Sequence, residues 1–158
     1  MGKKDDKTNV MRVLDQKGIL YEHYSYDNTK MDGTAIAERI GIPTEYFYKT
    51  LVTIGKSKEH YVFMVPIQNE LDLKKAAKAI GEKSIEMIPQ KELLPLTGYL
   101  HGGCSPIGMK KQFITTIQSN AQKAEKIVFS AGKIGRQIKV NPTDLNSVIP
   151  LNYADIIK

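Results

Sequence analysis

Val10, Val13 and Leu14 form one apolar stripe in an otherwise polar stretch, and this spacing predicts a helix over residues 8–18. Asp6 or Thr8 supplies its cap and Gly18 its stop. The pattern then changes period. Residues 19–26, Ile-Leu-Tyr-Glu-His-Tyr-Ser-Tyr, are β-branched and aromatic and read as a strand. Asp32-Gly-Thr34 opens a short helix over 35–40, closed by Gly41, and a further helical turn follows Pro43 with Thr44 as its cap. Residues 49–54 and 60–65 form a hairpin around the polar loop 55–59. Leu73, Ala76, Ala77 and Ile80 mark a helix over 71–80, ended by Gly81. Strands are expected at 84–88, 113–117, 126–130 and 137–140, with a helical turn at 89–94. Asn141 and Pro142 suit the cap and first position of a last helix. The apolar stretch 153–157 is too short to assign.

Strands that follow one another as hairpins argue for an α+β fold and against a doubly wound parallel sheet. No internal repeat, low-complexity block or linker interrupts the chain, so one domain over residues 1–158 is expected. Hydrophobic content of 41% and charged content of 25% suit a soluble globular protein. No apolar run approaches the about 18 residues of a membrane span, and the polar start lacks the core of a signal peptide. One cysteine makes no internal disulfide, which fits a cytoplasmic protein. Three scattered histidines and that cysteine offer no metal-ligand spacing, so neither metal nor cofactor is expected.

Charge is unevenly placed. Residues 101–140 hold Lys110, Lys111, Lys123, Lys126, Lys133, Arg136 and Lys139 against Glu125, so this window carries the whole net charge of +6. A localised basic surface suits a polyanion such as RNA.

The same window contains Gly98-Tyr-Leu-His-Gly-Gly-Cys-Ser-Pro-Ile-Gly108. That many glycines would weaken a strand but permit close backbone approach to a ligand. Gly102 and Gly103 can aim N–H groups at an oxygen, as an oxyanion hole does; the alternative is a plain Gly-rich turn. Lys49 begins an apolar strand directly after Tyr46-Phe47-Tyr48. It can hold a phosphate or a ribose hydroxyl, although position alone favours an edge lysine covering apolar surface. Cys104 and His101 invite a thiolate reading. No third group orients the imidazole, so a small packed Cys104 is preferred.

Taken together, Tyr48-Lys49-Thr50-Leu51-Val52, the helix and Gly81 at residues 71–81, the Gly98–Gly108 run and Ser130-Ala-Gly-Lys-Ile-Gly135 resemble the YbaK family in order and spacing. Within it, the match is to Cys-tRNA(Pro) deacylases, relatives of the editing domain inserted in bacterial prolyl-tRNA synthetases. The similarity spans residues 8 to 157. It implies a mixed, mostly antiparallel sheet, curled and barrel-like, flanked by helices. It also implies hydrolysis of mischarged Cys-tRNA(Pro), through attack by the substrate's own thiol on its ester. By resemblance, Lys49 holds the terminal adenosine end, and Gly102 and Gly103 meet the oxyanion. Tyr26, Ser105, Pro106, Ser130, Gly132 and Gln137 border the substrate, and Lys110, Lys111, Lys133 and Arg136 follow the tRNA. A prolyl-tRNA synthetase is a further possible partner. Two departures stand out: Gln137 where family members carry an aspartate, and Cys104 where relatives carry an aliphatic residue. An Ala- or Ser-tRNA deacylase, and a non-catalytic tRNA- or synthetase-binding module, are the alternatives.

Overall fold

A computed structural model describes residues 7–26 and 33–158. Asp6 and Asp32, expected at helix starts, lie outside the described residues. Helix α1 (Asn9–Gln16) begins where Thr8 Oγ1 accepts from the Met11 N–H. Strand β1 (Glu22–Ser25) is shorter than the aromatic run that announced it. Helix α2 (Gly33–Ile40) leads to a 3-10 turn at Thr44–Tyr46. Thr44 is not its cap; the capping position is Pro43, and the Thr44 hydroxyl donates to Gln68 Oε1. The hairpin of β2 (Tyr48–Gly55) and β3 (His60–Pro66) is followed by α3 (Leu73–Ile80). This helix starts two residues later than its apolar pattern implies. Asp72 caps it, accepting from Lys74 and Lys75, and Leu71 instead bridges Ile157.

β4 (Ile85–Met87) and α4 (Leu93–Thr97) precede the Gly-rich run. Beyond it come β5 (Thr115–Gln118), β6 (Ile127–Ser130), β7 (Arg136–Val140), α5 (Pro142–Leu145) and β8 (Leu151–Ala154). Asn141 caps α5 with Pro142 at its first position, as its sequence indicates.

The strands form two sheets, ordered β4-β2-β3-β5-β8 and β1-β7-β6. Ladders β1–β7, β6–β7, β2–β3 and β2–β4 are antiparallel, whereas β3–β5 and β5–β8 are parallel. The α+β class and the mixed, mostly antiparallel pairing therefore hold. An isolated bridge from Phe47 to Val128 links the two sheets, and the curl stays open.

After His60, β3 is apolar and buried because both of its faces are covered. Val62 and Met64 join the main core with Tyr48, Ile117, Phe129, Ile138 and Leu14. Phe63 and Val65 face Ala76, Ala77 and Ile85 in a second cluster under α3. A third cluster packs Ile36 and Ala37 of α2 against Phe47 and Val128, where the sheets meet. That junction, with one helix above and a loop beside it, frames the site.

Candidate functional site

Phe47 and Val128 bring the start of β2 beside the β6–β7 hairpin, and a cavity of about 400 Å³ opens there. β2 contributes Lys49 and Thr50 to its wall, and the Gly-rich loop contributes His101, Gly102 and Cys104. The hairpin adds Ser130, Ile134 and Gln137, while Ile36 and Leu93 supply apolar surface. Residues far apart in sequence are thus gathered around one space.

Lys49 is held by its strand. It pairs with Val65 across the β2–β3 ladder, and the preceding Tyr48 is buried with its hydroxyl donating to Asn120 Oδ1 at 2.6 Å. Burial pushes the Tyr48 phenol well above its ordinary range, so it stays a neutral donor. Lys49 is half-buried, and among the described residues no carboxylate pairs with it. A cation so placed has its charge available for an anion or a polar oxygen.

The Gly-rich loop is pinned at both ends. Tyr99 donates its hydroxyl to the Ile107 carbonyl, and Asn9 Nδ2 donates to the Gly108 carbonyl at 3.3 Å. Within it the two central glycines differ. Gly102 sits at φ +90°, a conformation that L side chains rarely adopt, and among the described residues nothing accepts from its N–H. The Gly103 N–H is already engaged, donating to the Leu100 carbonyl at 2.9 Å. A Cβ on Gly103 would come within 2.9 Å of the Ile134 nitrogen and 3.1 Å of the Lys133 carbonyl carbon. Gly103 therefore lets two loops touch backbone to backbone, and Gly102 is the one with a donor to offer.

Cys104 is 8% exposed, and burial pushes its thiol up to about 12. A side-chain hydrogen bond with Thr97 opposes that shift only in part. At neutral pH it is a packed thiol and a poor nucleophile. His101 is exposed on the rim.

Among the described residues, three buried side-chain oxygens lack a hydrogen-bond partner: Tyr26 Oη, Thr50 Oγ1 and Gln137 Oε1. Thr50 and Gln137 both line the cavity, and Gln137 is only 6% exposed. Buried polar atoms are rarely left unpaired, so the Thr50 and Gln137 oxygens mark where a ligand's polar groups fit. Gln137 stands opposite Tyr24 on one side and Ser130 on the other. Ser130 Oγ accepts from the Gly132 N–H at 3.1 Å, which shapes the hairpin turn. The Tyr26 N–H donates to the Gly135 carbonyl, tying β1 to that turn. Burial raises the Tyr26 phenol, with the nearby Arg39 charge opposing.

Tyr26 and the remaining expected residues lie outside the cavity wall. Ser105 is fully buried and accepts from the Ile107 N–H at 3.4 Å. The buried Pro106 offers its carbonyl to Gln112. Both shape the loop from behind. Gly132 and Lys133 line a neighbouring groove. Lys110 is exposed and reaches the Pro95 carbonyl at 3.4 Å, while Lys111 lies 5.9 Å from the Phe113 ring centre. Arg136 bonds the His23 ring nitrogen at 3.2 Å through Nε. Among the described residues no three His, Cys, Asp or Glu side chains converge as metal ligands do.

The model of the aminoacyl-tRNA editing domain matches residues 28–148, more than half of the chain. The chain belongs to the aminoacyl-tRNA editing domain family. EbsC of Enterococcus faecalis, whose name assigns it as a Cys-tRNA(Pro)/Cys-tRNA(Cys) deacylase, is 42% identical over 156 residues. That alignment covers 98% of this chain and 95% of EbsC. A solved structure described as a trans-editing enzyme for prolyl-tRNA synthetase superposes with a TM-score of 0.83 at 22% identity, covering 95% of both chains. The structure of protein APE2540 superposes with a TM-score of 0.86 at 16% identity, covering 96% of this chain and all of the other. These two likenesses show the fold.

In this editing domain, sequence reasoning picked out Lys49, Gly102, Ser130 and Gln137, which the fold brings to one cavity. It missed Thr50 and the apolar walls Ile36, Leu93 and Ile134. Thr50 stands next to Lys49, yet a threonine in a strand carries no signal until its hydroxyl is seen buried and unpaired.

Proposed function

We propose that this editing domain is an ester hydrolase that works in trans, clearing cysteine from mischarged Cys-tRNA(Pro). The observation that carries this reading is one cavity holding an unneutralised lysine, an uncommitted glycine N–H and two unpaired buried oxygens, beside a thiol held neutral. The 42% identity to EbsC supports the choice of substrate.

In this reading the protein positions and the substrate reacts. The aminoacyl ester is already activated, so orientation supplies much of the acceleration. The substrate cysteine loses its proton to solvent, and its sulfur attacks its own ester carbonyl. The bond to the ribose oxygen breaks, that oxygen takes up a proton, and a four-membered thiolactone leaves, to be opened later by water. Negative charge develops on the carbonyl oxygen during attack, and the Gly102 N–H meets it. Lys49 clamps ribose or phosphate oxygen of the terminal adenosine. Thr50, Gln137, Tyr26 and Ser130 bind polar groups around the ester. Gly103, Gly132, Ser105 and Pro106 hold the loops in shape. Lys110, Lys111, Lys133 and Arg136 face the acceptor stem as a basic track. The protein acts as one domain in the cytoplasm, and a prolyl-tRNA synthetase that releases the mischarged tRNA is its natural neighbour. Among the described residues no helix is long and apolar enough to cross a membrane.

The test is to incubate the protein with tRNA(Pro) charged with cysteine, alanine, serine or proline and to follow ester loss. Rapid loss from Cys-tRNA(Pro) alone is expected. Preferred loss of alanine or serine moves the substrate assignment, and no loss from any of them leaves a binding module.

A further inference from the structure

A second cavity, of about 390 Å³, lies against the first and shares Ile134 as a wall. Gly98, Gly103 and Gly132 line it together with the buried Tyr99. Its sides are Leu94, Leu100 and Ile134, which are 47%, 57% and 48% exposed. Exposing three large aliphatic side chains around one depression costs solvation, and such a patch beside a site marks a contact surface.

The rim is basic. Lys133 lines the groove directly. The Lys110 side chain runs along its edge: a Cβ on Gly98 would meet Lys110 Cγ at 3.4 Å, and Lys110 Nζ reaches the Pro95 carbonyl at 3.4 Å. No described lining residue is acidic. Aliphatic side chains suit a planar apolar group, and lysines at the rim suit a phosphate.

We infer that this groove is a subsite for the unpaired nucleotide that precedes the terminal adenosine of the RNA substrate. The assignment rests on the deacylase reading above, because the first cavity then holds the adenosine ester. With the shared Ile134 wall between them, the preceding base stacks on the apolar shelf and its phosphate lies between Lys110 and Lys133. Apolar contact with a base face carries no hydrogen-bond readout, so the groove adds affinity for a single-stranded end and reads little sequence. Gly103 then has two tasks, packing the loops together and lining the subsite.

The test compares two substrates on one protein: a cysteinyl ester of adenosine alone, and a cysteinylated RNA hairpin ending in the unpaired CCA. Leu100→Asp and Leu94→Asp change exposed side chains outside the first cavity, and their melting temperatures serve as a check on folding. Each variant is expected to lose about tenfold or more in kcat/KM on the hairpin and to keep its rate on the adenosine ester. Leu100→Phe should retain hairpin activity, since an aromatic ring stacks as well. Equal losses on both substrates, or no loss on the hairpin, overturn the subsite; the second result gives the groove to a protein partner or to none. A wild-type protein inactive on both substrates overturns the deacylase reading, and the subsite with it.

Discussion

Gly103 meets Ile134 backbone to backbone: a Cβ at Gly103 would stand 2.9 Å from the Ile134 nitrogen. The Gly-rich loop and the β6–β7 hairpin are each anchored elsewhere, so neither retreats cheaply. Gly103→Ala is expected to cost about 1–3 kcal/mol through overpacking. In a chain of this size that lowers the melting temperature by roughly 2–4 °C per kcal/mol. It should also cut deacylation by more than the stability loss explains, because both cavity walls shift. Calorimetry and kinetics on the same variant check this.

Lys49→Ala should abolish nearly all deacylation and leave the fold intact, since the side chain is half-buried and has no described ion-pair partner to orphan. Lys49→Arg should recover only part, because a planar fork does not replace a compact ammonium. Normal turnover by a folded Lys49→Ala protein removes Lys49 from the site.

The hairpin β2–β3, the capped helices α1 and α5 and the apolar β3 are all legible in the sequence, because their signals are local. β5 and β8 are not. They pair in parallel, Thr115 with Leu151 and Ile117 with Tyr153, through a crossover that no local pattern announces. The same limit applies at the site. Lys49 and Gly102 stand inside motifs and Gln137 marks a departure from the family pattern, but the different tasks of Gly102 and Gly103 depend on which N–H finds the Leu100 carbonyl. Ser105 and Pro106 belong to the same motif and yet are buried behind the wall. A motif records what the loop needs, and packing decides which part of it faces the ligand.

Alkaline pH should destabilise the protein in part through Cys104. Its folded thiol titrates at about 12, above an ordinary value of 9.0. Below pH about 9 the thiol is neutral in both folded and unfolded chains and pH has no effect through it. Between about 9 and 12 the unfolded chain releases the proton and the folded chain keeps it, so stability falls as pH rises. Cys104→Ala should therefore show a shallower loss of stability over that interval, measured by urea unfolding at a series of pH values. An unchanged slope places the thiol in contact with solvent.

RNA affinity should fall as salt rises, because residues 101–140 carry the net charge of +6. Each lost phosphate contact should reduce the slope of log affinity against log salt by roughly 0.7–0.9. Reversing charge at Lys110 and Lys111 should weaken tRNAs of different sequence about equally. Affinity that is flat across salt leaves the basic window as a solubility feature.

Whether the substrate's sulfur does the chemistry is decided by one paired measurement. Deacylation rates are taken for Cys-tRNA(Pro) and Ser-tRNA(Pro) with the wild-type protein and with Cys104→Ser. Rapid loss of cysteine is expected, with loss of serine slower by orders of magnitude and a Cys104→Ser protein that keeps most of its activity. A folded but inactive Cys104→Ser protein, with an acyl thioester on Cys104 detected by mass spectrometry in the wild type, would contradict attack by the substrate's sulfur.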